Sequence, residues 1–112
     1  MDRLNQYRQI IESIFKEYAR LFNHQPKGVD VVAVCDETTD TYAIMNIGWD
    51  GTERVNDTSV LMRIINGKIW VELDQTMYRF VDELLDAGIT KNEIVLAFQS
   101  SQMRQYTDFA VA

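Results

Sequence analysis

The clearest pattern in the chain is the alternation of apolar and mixed positions on either side of an Asn-Gly pair, within Val60–Asp74. Asn66-Gly67 tolerates the positive φ angles of both central residues in a type I′ turn, so it predicts a β-hairpin with a two-residue loop. Side chains alternate between the faces of a strand, and this loop places Leu61 opposite Glu72. One face then carries only apolar residues: Val60, Met62, Ile64, Ile69, Val71 and Leu73. A shift of one residue would destroy this sorting.

An amphipathic helix is predicted before the strands. Apolar residues recur at spacings of three and four, which is the period of one helix face. They are Leu4, Tyr7, Ile11, Ile14, Tyr18 and Leu21, flanked by Ile10, Phe15 and Phe22. We expect about five helical turns, with Asp2 as the N-cap and with Pro26 and Gly28 ending the helix. The apolar repeat is too short for a coiled coil, so this helix should lie on a sheet.

Two further apolar segments, Val29–Asp36 and Thr41–Trp49, predict a hairpin across the loop Glu37–Asp40. Both faces of this hairpin are apolar, so each face needs a cover. We assign one set to the core face, together with Met62 and Ile64: Val32, Val34, Ala43, Met45 and Ile47. We assign a second set to an apolar surface away from the helix: Val31, Ala33, Cys35, Tyr42, Ile44, Leu61 and Trp70.

The link between the two hairpins begins at Asp50-Gly51, a dipeptide typical of a two-residue turn. An uninterrupted hairpin from this turn would put the polar residues Arg54 and Asn56 on the face of Met62. We therefore expect a β-bulge or a longer loop around Glu53–Thr58 that restores the phase.

A second helix is predicted after the fourth strand, with Asp74 or Thr76 as its N-cap. Its apolar face consists of Met77, Phe80, Val81, Leu84 and Leu85. Gly88 suits the residue just past the helix, and Ile89 can fold back on the last turn as a Schellman closure requires.

The remaining residues predict short elements. Thr90–Glu93 has the spacing of a capping box, which indicates one helical turn, and a fifth strand should follow within Ile94–Phe98. We expect a short helix at Ser100–Thr107 and an apolar tail, Phe109–Ala112, folded over the surface away from the first helix. The predicted fold class is α+β: an N-terminal helix, a four-stranded antiparallel meander plus a fifth strand, helices packed on the sheet, and a short C-terminal helix.

Composition and charge narrow the class of function. With 112 residues, 46% of them hydrophobic, residues 1–112 should form a single domain with one core. The net charge is −6 and is shared equally between the two halves of the chain. Because phosphate contacts supply most non-specific nucleic-acid affinity, strong direct nucleic-acid binding is disfavoured. The absence of a membrane-spanning run and of a signal-peptide pattern predicts a cytoplasmic protein that does not bind membranes.

Few residues of the kind that perform catalysis are available. His24 follows the first helix without a neighbouring nucleophile or base, so a role at the helix terminus is favoured. Cys35 should be a small buried hydrophobe in a strand. A single Cys and a single His exclude the usual zinc and iron–sulfur sites. We assign no catalytic, cofactor-binding or metal-binding residue.

Acidic residues at the predicted strand ends form the one cluster that could bind a metal ion. They are Asp36, Asp40, Asp50 and Asp74. Converging carboxylates could hold magnesium for a nuclease. Aspartate is also favoured at turns by hydrogen bonds to the local backbone, and we prefer that structural interpretation.

The second half of the chain carries a specific combination of short motifs. They are Gly67-Lys68-Ile69-Trp70-Val71, Glu93-Ile94-Val95-Leu96 and Tyr106-Thr107-Asp108-Phe109-Ala110-Val111-Ala112, with Asp74 and Gly88-Ile89 between them. In these motifs the chain resembles the XisI-like family, the fdxN element excision controlling factor proteins of cyanobacteria. The likeness extends back to Leu4-x-x-Tyr7-Arg8-x-Ile10-Ile11 and so covers nearly the whole chain.

The resemblance implies a small α+β protein that accompanies an XisH-like protein in the site-specific excision of a DNA element. The resemblance also implies that a separate recombinase, and not this component, carries out the recombination chemistry. Three positions depart from the family pattern: Leu61 replaces a histidine, Met77 replaces an acid, and Gln99-Ser100-Ser101 replace His-Pro-Pro. No catalytic residue is therefore carried over.

Two hypotheses follow. The first is a non-enzymatic accessory factor that binds an XisH-like protein in DNA excision or a related system and needs no cofactor. Its candidate contacts are aromatic and arginine residues, which interfaces favour: Tyr42, Arg63, Trp70, Arg104, Tyr106 and Phe109. A second copy of the chain is a further candidate to bind this surface, which would give a homo-oligomer. Within the surface, Arg63 can form a cation–π contact with Trp70. The alternative is a magnesium-dependent nuclease or hydrolase that uses Asp36, Asp40 and Asp74.

Overall fold

The structure is a computed structural model that describes residues 2–23 and 27–112. The predicted helix end at Pro26 and the single histidine, His24, lie outside the described residues. The helices and strands are α1 (Arg3–Phe22), β1 (Val29–Asp36), β2 (Thr41–Asp50), β3 (Glu53–Ile65), β4 (Lys68–Asp74), α2 (Phe80–Asp86), a 3₁₀ turn (Lys91–Glu93), β5 (Ile94–Leu96) and α3 (Ser101–Arg104). Within the described residues the strands form a sheet in the order β1-β2-β3-β4-β5. β1 to β4 are antiparallel neighbours and β5 runs parallel to β4, which confirms the predicted α+β fold.

The predicted N-terminal helix is confirmed as α1. The Asp2 side chain accepts a hydrogen bond from the backbone N–H of Leu4 at 3.1 Å, as an N-cap does. Tyr7, Ile11 and Phe15 are buried because their spacing places them on one face of the helix. They meet one face of the sheet, and α2 adds Phe80 and Leu84 to the same core. No helix among the described residues combines the length and apolar character that a bilayer crossing needs.

The predicted hairpin is confirmed around its turn. Asn66 and Gly67 have φ angles of 51° and 75°, as a type I′ turn requires. The predicted pairs Ile65–Lys68, Ile64–Ile69, Arg63–Trp70 and Met62–Val71 all form. Beyond them the register shifts, and Leu61 lies opposite Leu73. The prediction that Leu61 faces Glu72 is therefore wrong, because a β-bulge inserts an extra residue into β4.

The face assignment of the first hairpin is also wrong. Val31, Tyr42 and Ile44 are buried, whereas Val32 and Val34 are 38% and 42% exposed. The strand pairing itself is as predicted, so it is the choice of core face that failed.

A bulge in β3 explains that error. Ile44 pairs with Val60 but Met45 pairs with Thr58, so Ser59 is the extra residue. A phase-restoring bulge was expected around Glu53–Thr58, and it lies one residue beyond that range. The bulge places Arg54 and Asn56 on the face away from the core. Their β2 partners, Trp49 and Ile47, lie on that same face. The turn into β3 comes one residue later than predicted, because Asp50 pairs with Glu53.

The second helix begins later than predicted. Asp74 accepts hydrogen bonds from the backbone N–H and hydroxyl of Thr76 at 2.9 and 2.7 Å, which forms a local turn. α2 starts only at Phe80, and Met77 is 97% exposed, so its predicted place on the buried helix face is wrong. The Schellman closure is confirmed, since the Ile89 N–H reaches the Leu84 carbonyl at 3.1 Å.

The C-terminal elements follow the predicted order. The Glu93 side chain accepts a hydrogen bond from the backbone N–H of Thr90 at 3.0 Å, as a capping box does. α3 is shorter than predicted, and Ser100 caps it. The tail is docked, but at a different place. Ala110 pairs with β5 through its N–H to the Ile94 carbonyl at 2.9 Å, so the tail lies along the sheet edge.

Candidate interaction surface

The face of the sheet that points away from α1, which we call the outer face, is apolar and open over β1 to β3. Strand alternation places seven apolar residues there: Val32, Val34, Ala43, Met45, Ile47, Leu61 and Ile65. Val32 and Val34 are exposed, and the other five are half-buried. Trp49 extends this strip at the hairpin end and is 53% exposed. Large apolar patches of this kind mark interaction sites on soluble proteins.

Charged residues border this apolar strip on both sides. Asp30 and Asp36 share its face on the edge strand β1, and Arg54 and Arg63 do so on β3. The Arg54 guanidinium lies over the Trp49 ring at 5.5 Å from the centroid. Arg63 is only loosely paired, with Nε 3.9 Å from the Glu72 carboxylate.

Around Trp70 the outer face is covered by part of residues 97–111, which we call the C-terminal segment. The Arg104 guanidinium lies over the Trp70 ring at 5.3 Å from its centroid. It also donates hydrogen bonds to three carbonyl oxygens, those of Gln99 at 3.0 Å, Ala97 at 3.3 Å and Val111 at 3.5 Å. Arg104 therefore holds this segment together and closes it over Trp70.

The C-terminal segment exposes apolar side chains of its own. Phe98 and Met103 are each 52% exposed, Val111 is 53% exposed and Tyr106 is 77% exposed. Because Arg104 fixes the backbone that carries them, these side chains are presented on an ordered surface. Aromatic and methionine side chains are enriched in protein interfaces.

The predicted contact residues are distributed unevenly between surface and interior. Arg63 and Tyr106 are exposed, while Trp70, Arg104 and Phe109 are half-buried. Arg63 and Trp70 lie opposite each other as predicted, but the guanidinium over the Trp70 ring belongs to Arg104 rather than Arg63. Phe109 packs against the core and lies beneath the ammonium group of Lys91 at 5.7 Å.

Tyr42 does not belong to the surface. Its side chain is 0% exposed, so its predicted place among the partner contacts is wrong, for the same reason as the face of its hairpin. The Tyr42 hydroxyl donates to Asp40 at 3.3 Å, and Arg8 of α1 binds the same carboxylate at 2.8 Å. Burial, together with the charge of Asp40, raises the pKa of Tyr42.

The three carboxylates of the nuclease hypothesis do not converge. Asp36 accepts hydrogen bonds from Thr38 and Thr39, while Asp40 binds Arg8 and Asp74 binds Thr76. Asp40 comes just before Thr41, which pairs with Arg63 of β3, whereas Asp74 pairs with Val60 of β3. About 10 Å of β3 therefore lies between the positions of Asp40 and Asp74 along the strands. No group of three metal-ligating side chains occurs in residues 2–23 and 27–112. The hypothesis loses the convergent site on which it depended.

A polar cluster that the sequence analysis missed joins the two ends of the chain. Arg3 binds both oxygens of the Glu93 carboxylate at 2.7 and 2.8 Å. The Tyr7 hydroxyl also donates to Glu93 and lies 3.2 Å from the Gly67 carbonyl. Burial opposes ionisation of Glu93, but the hydrogen bonds from Tyr7, Arg3 and Thr90 outweigh it and lower the pKa of Glu93 to about 2. The capping-box spacing was the one sequence signal for this cluster.

Replacing Arg104 should release the C-terminal segment from Trp70. In a Trp49→Phe background, where Trp70 is the only tryptophan, Arg104→Ala should shift the fluorescence emission to longer wavelength. It should also lower the free energy of unfolding by about 1–3 kcal/mol, through the lost carbonyl and cation–π contacts. Arg20→Ala, at an exposed pair with Glu17 on α1, is the control and should change neither quantity. Unchanged Trp70 emission in Arg104→Ala would contradict the role of Arg104.

Comparison with known proteins is consistent with this architecture. A family model described as XisI protein matches residues 1–111. The crystal structure of a XisI-like protein from Anabaena variabilis ATCC 29413 has 31% sequence identity and a TM-score of 0.90, over 97% of this chain and 99% of that chain. The structure of the fdxN element excision controlling factor XisI from the same organism has 41% identity and a TM-score of 0.85, over 99% of this chain and 100% of that chain. A comparison with curated proteins gave no match. The chain therefore belongs to the XisI family.

Proposed function

We propose that this protein is a non-catalytic accessory factor in the controlled excision of a DNA element, and that it acts by binding a protein partner. The observation that carries the proposal is its 41% identity, over 99% of the chain, to a protein described as an excision controlling factor. Likeness at this level over the whole chain supports a shared role as well as a shared fold.

The proposed partner is an XisH-like protein, and the proposed contact surface is the exposed part of the C-terminal segment. Phe98, Met103 and Tyr106 supply the aromatic and flexible apolar anchors that interfaces use. Arg104 holds these anchors in place before binding, which reduces the conformational entropy lost on association. The surface overlaps the Tyr106–Ala112 motif, through which the sequence resembles its family.

Action through a partner also agrees with the charge of the chain. With a net charge of −6, the protein is repelled by the phosphate backbone rather than attracted to it. A basic partner protein would therefore supply the contact with DNA. The strand-end carboxylates are engaged in turns and an ion pair, which supports an accessory role over a catalytic one.

Binding of an XisH-like protein tests this proposal. The immobilised chain should retain an XisH-like protein, and Tyr106→Ala should weaken the complex at least about tenfold, as removal of an interface anchor does. Met77→Ala is the matched control, because Met77 is 97% exposed and is not part of the C-terminal segment. It should bind like the parent chain. Failure to retain the XisH-like protein, or equal binding by Tyr106→Ala, would reject the proposed partner or surface.

A further inference from the structure

The apolar strip on the outer face remains uncovered by any described part of the chain. The C-terminal segment covers only the region of Trp70 and Val95, and Val32 and Val34 stay exposed. We propose that a second copy of this chain covers the strip, with the two outer faces packed against each other to form a sandwich of two sheets. This inference does not rest on the proposed function.

The size of the strip suits such packing. The outer face over β1 to β3 spans three strands and about seven residues of each, which is on the order of 300 Å² in plan. Thr41, Asn56 and Thr58 interrupt its apolar surface. An area of this size matches the largest apolar patch of a typical monomer, and such patches often serve as interaction sites. Two sheets pack face to face about 10 Å apart with nearly aligned strands, and the bordering charged side chains then extend the contact.

The charges on the outer face make it complementary to itself. Over β1 to β3 it carries two acidic residues, Asp30 and Asp36, and two basic residues, Arg54 and Arg63. This part of the face is therefore neutral, although the whole chain carries −6. A partner of opposite charge would bind best to a face whose charges all have one sign. A second copy carries the same face, so it binds best where acidic and basic residues lie on opposite sides of the strip.

The register of the strands specifies how these charges would meet. Asp36 pairs with Thr41, and Thr41 pairs with Arg63, so the acid and the arginine lie at one level on opposite sides of β2. A two-fold axis in the interface and parallel to β2 places β1 of one copy over β3 of the other, at an unchanged level along the strands. Asp36 then faces Arg63 of the second copy, twice in each dimer.

Oligomeric state tests the inference directly. Size-exclusion chromatography with light scattering should give a mass of twice 13.0 kDa for the parent chain. Val32→Asp places a charge at an exposed position in the strip, so it should fold and elute as a monomer. Met77→Asp, at a fully exposed position outside the strip, should remain a dimer. Circular dichroism should show native secondary structure for both variants.

Charge exchange identifies the geometry. Arg63→Asp and Asp36→Arg each place like charges opposite one another across the axis, so each variant alone should dissociate at least about tenfold more readily than the parent chain. Mixed together, they restore both opposite-charge contacts and should form a heterodimer. Heterodimer formation also shows that both variants are folded.

Three results would overturn the inference. They are a monomeric parent chain at high micromolar concentration, a dimer that Val32→Asp leaves intact, and a failure of the two charge variants to associate when mixed while both retain native circular dichroism. The test is separable from that of the proposed function. Monomeric Val32→Asp should still bind the XisH-like protein, because that contact is placed on the C-terminal segment.

Discussion

Ile44→Asp should unfold the protein, whereas Val34→Asp, on the opposite face of the same hairpin, should leave it folded. Ile44 is 0% exposed and packs in the core with α1, so the substitution buries a carboxylate without a partner. We expect it to cost more than about 4 kcal/mol, a large part of the roughly 5–15 kcal/mol that stabilises a domain of this size. Urea denaturation followed by circular dichroism measures both variants.

The control separates the face of the sheet from the chemistry of the substitution. Val34 is 42% exposed, so its carboxylate remains in water and the free energy of unfolding should change by less than about 1 kcal/mol. The measurement belongs at high dilution, where self-association does not contribute to stability. Native stability of Ile44→Asp together with unfolding of Val34→Asp would reverse the core face.

This pair of residues also shows where sequence reasoning reaches its limit. Alternation correctly grouped Val32 with Val34 and Tyr42 with Ile44, because it depends only on the geometry of one strand. Which group faces the core depends on the register between hairpins, and one extra residue reverses it. Ser59 is that residue. The polar residues Arg54 and Asn56 indicated a bulge nearby, but no glycine marks Ser59 as its position.

The hairpin of β3 and β4 was predictable near its turn for the same reason. Asn66-Gly67 is a local signal with a single compatible turn geometry, and it fixed four residue pairs. The second bulge, opposite Leu61, came too far from the turn for that signal to control it. The order and type of the helices and strands were thus predictable from local patterns. Which side chains of a strand face the core depended instead on single extra residues within long strands.

The interaction surface was less predictable than the fold. Tyr106 and Arg63 were identified by residue type and are exposed, but Trp70 interacts with Arg104, which lies 34 positions later in the sequence. A preference for aromatic and arginine residues at interfaces cannot distinguish an arginine that binds a partner from one that secures the chain's own backbone. That distinction requires the tertiary contacts.

The cluster around Glu93 has the same origin. The capping-box spacing identified its contact with Thr90, but its contacts with Arg3 and Tyr7 span almost the whole chain. Through them α1 is tied to the 3₁₀ turn before β5 and to the hairpin turn at Gly67. This cluster therefore connects the first helix with the turn that leads into β5, the strand before the C-terminal segment.

Glu93→Gln should destabilise the protein by about 2 kcal/mol at neutral pH. A pKa lowered from 4.5 to about 2 corresponds to about 3 kcal/mol of preferential stabilisation of the charged form. We reduce this figure because the Glu93 side chain is 20% exposed to screening by solvent. The matched control is Glu17→Gln, which removes an exposed pair with Arg20 and should leave the free energy of unfolding nearly unchanged.

The pH dependence of this difference identifies ionisation as its cause. The folded protein holds the pKa of Glu93 below its ordinary value, so the stabilisation is complete above about pH 4.5 and is lost as the pH falls through about 2. The free energies of unfolding of the parent chain and Glu93→Gln should therefore converge over that range, because the protonated carboxyl of the parent resembles the amide. A constant difference between pH 7 and pH 2, measured by urea denaturation, would show that packing rather than the charge of Glu93 holds α1 to the C-terminal elements.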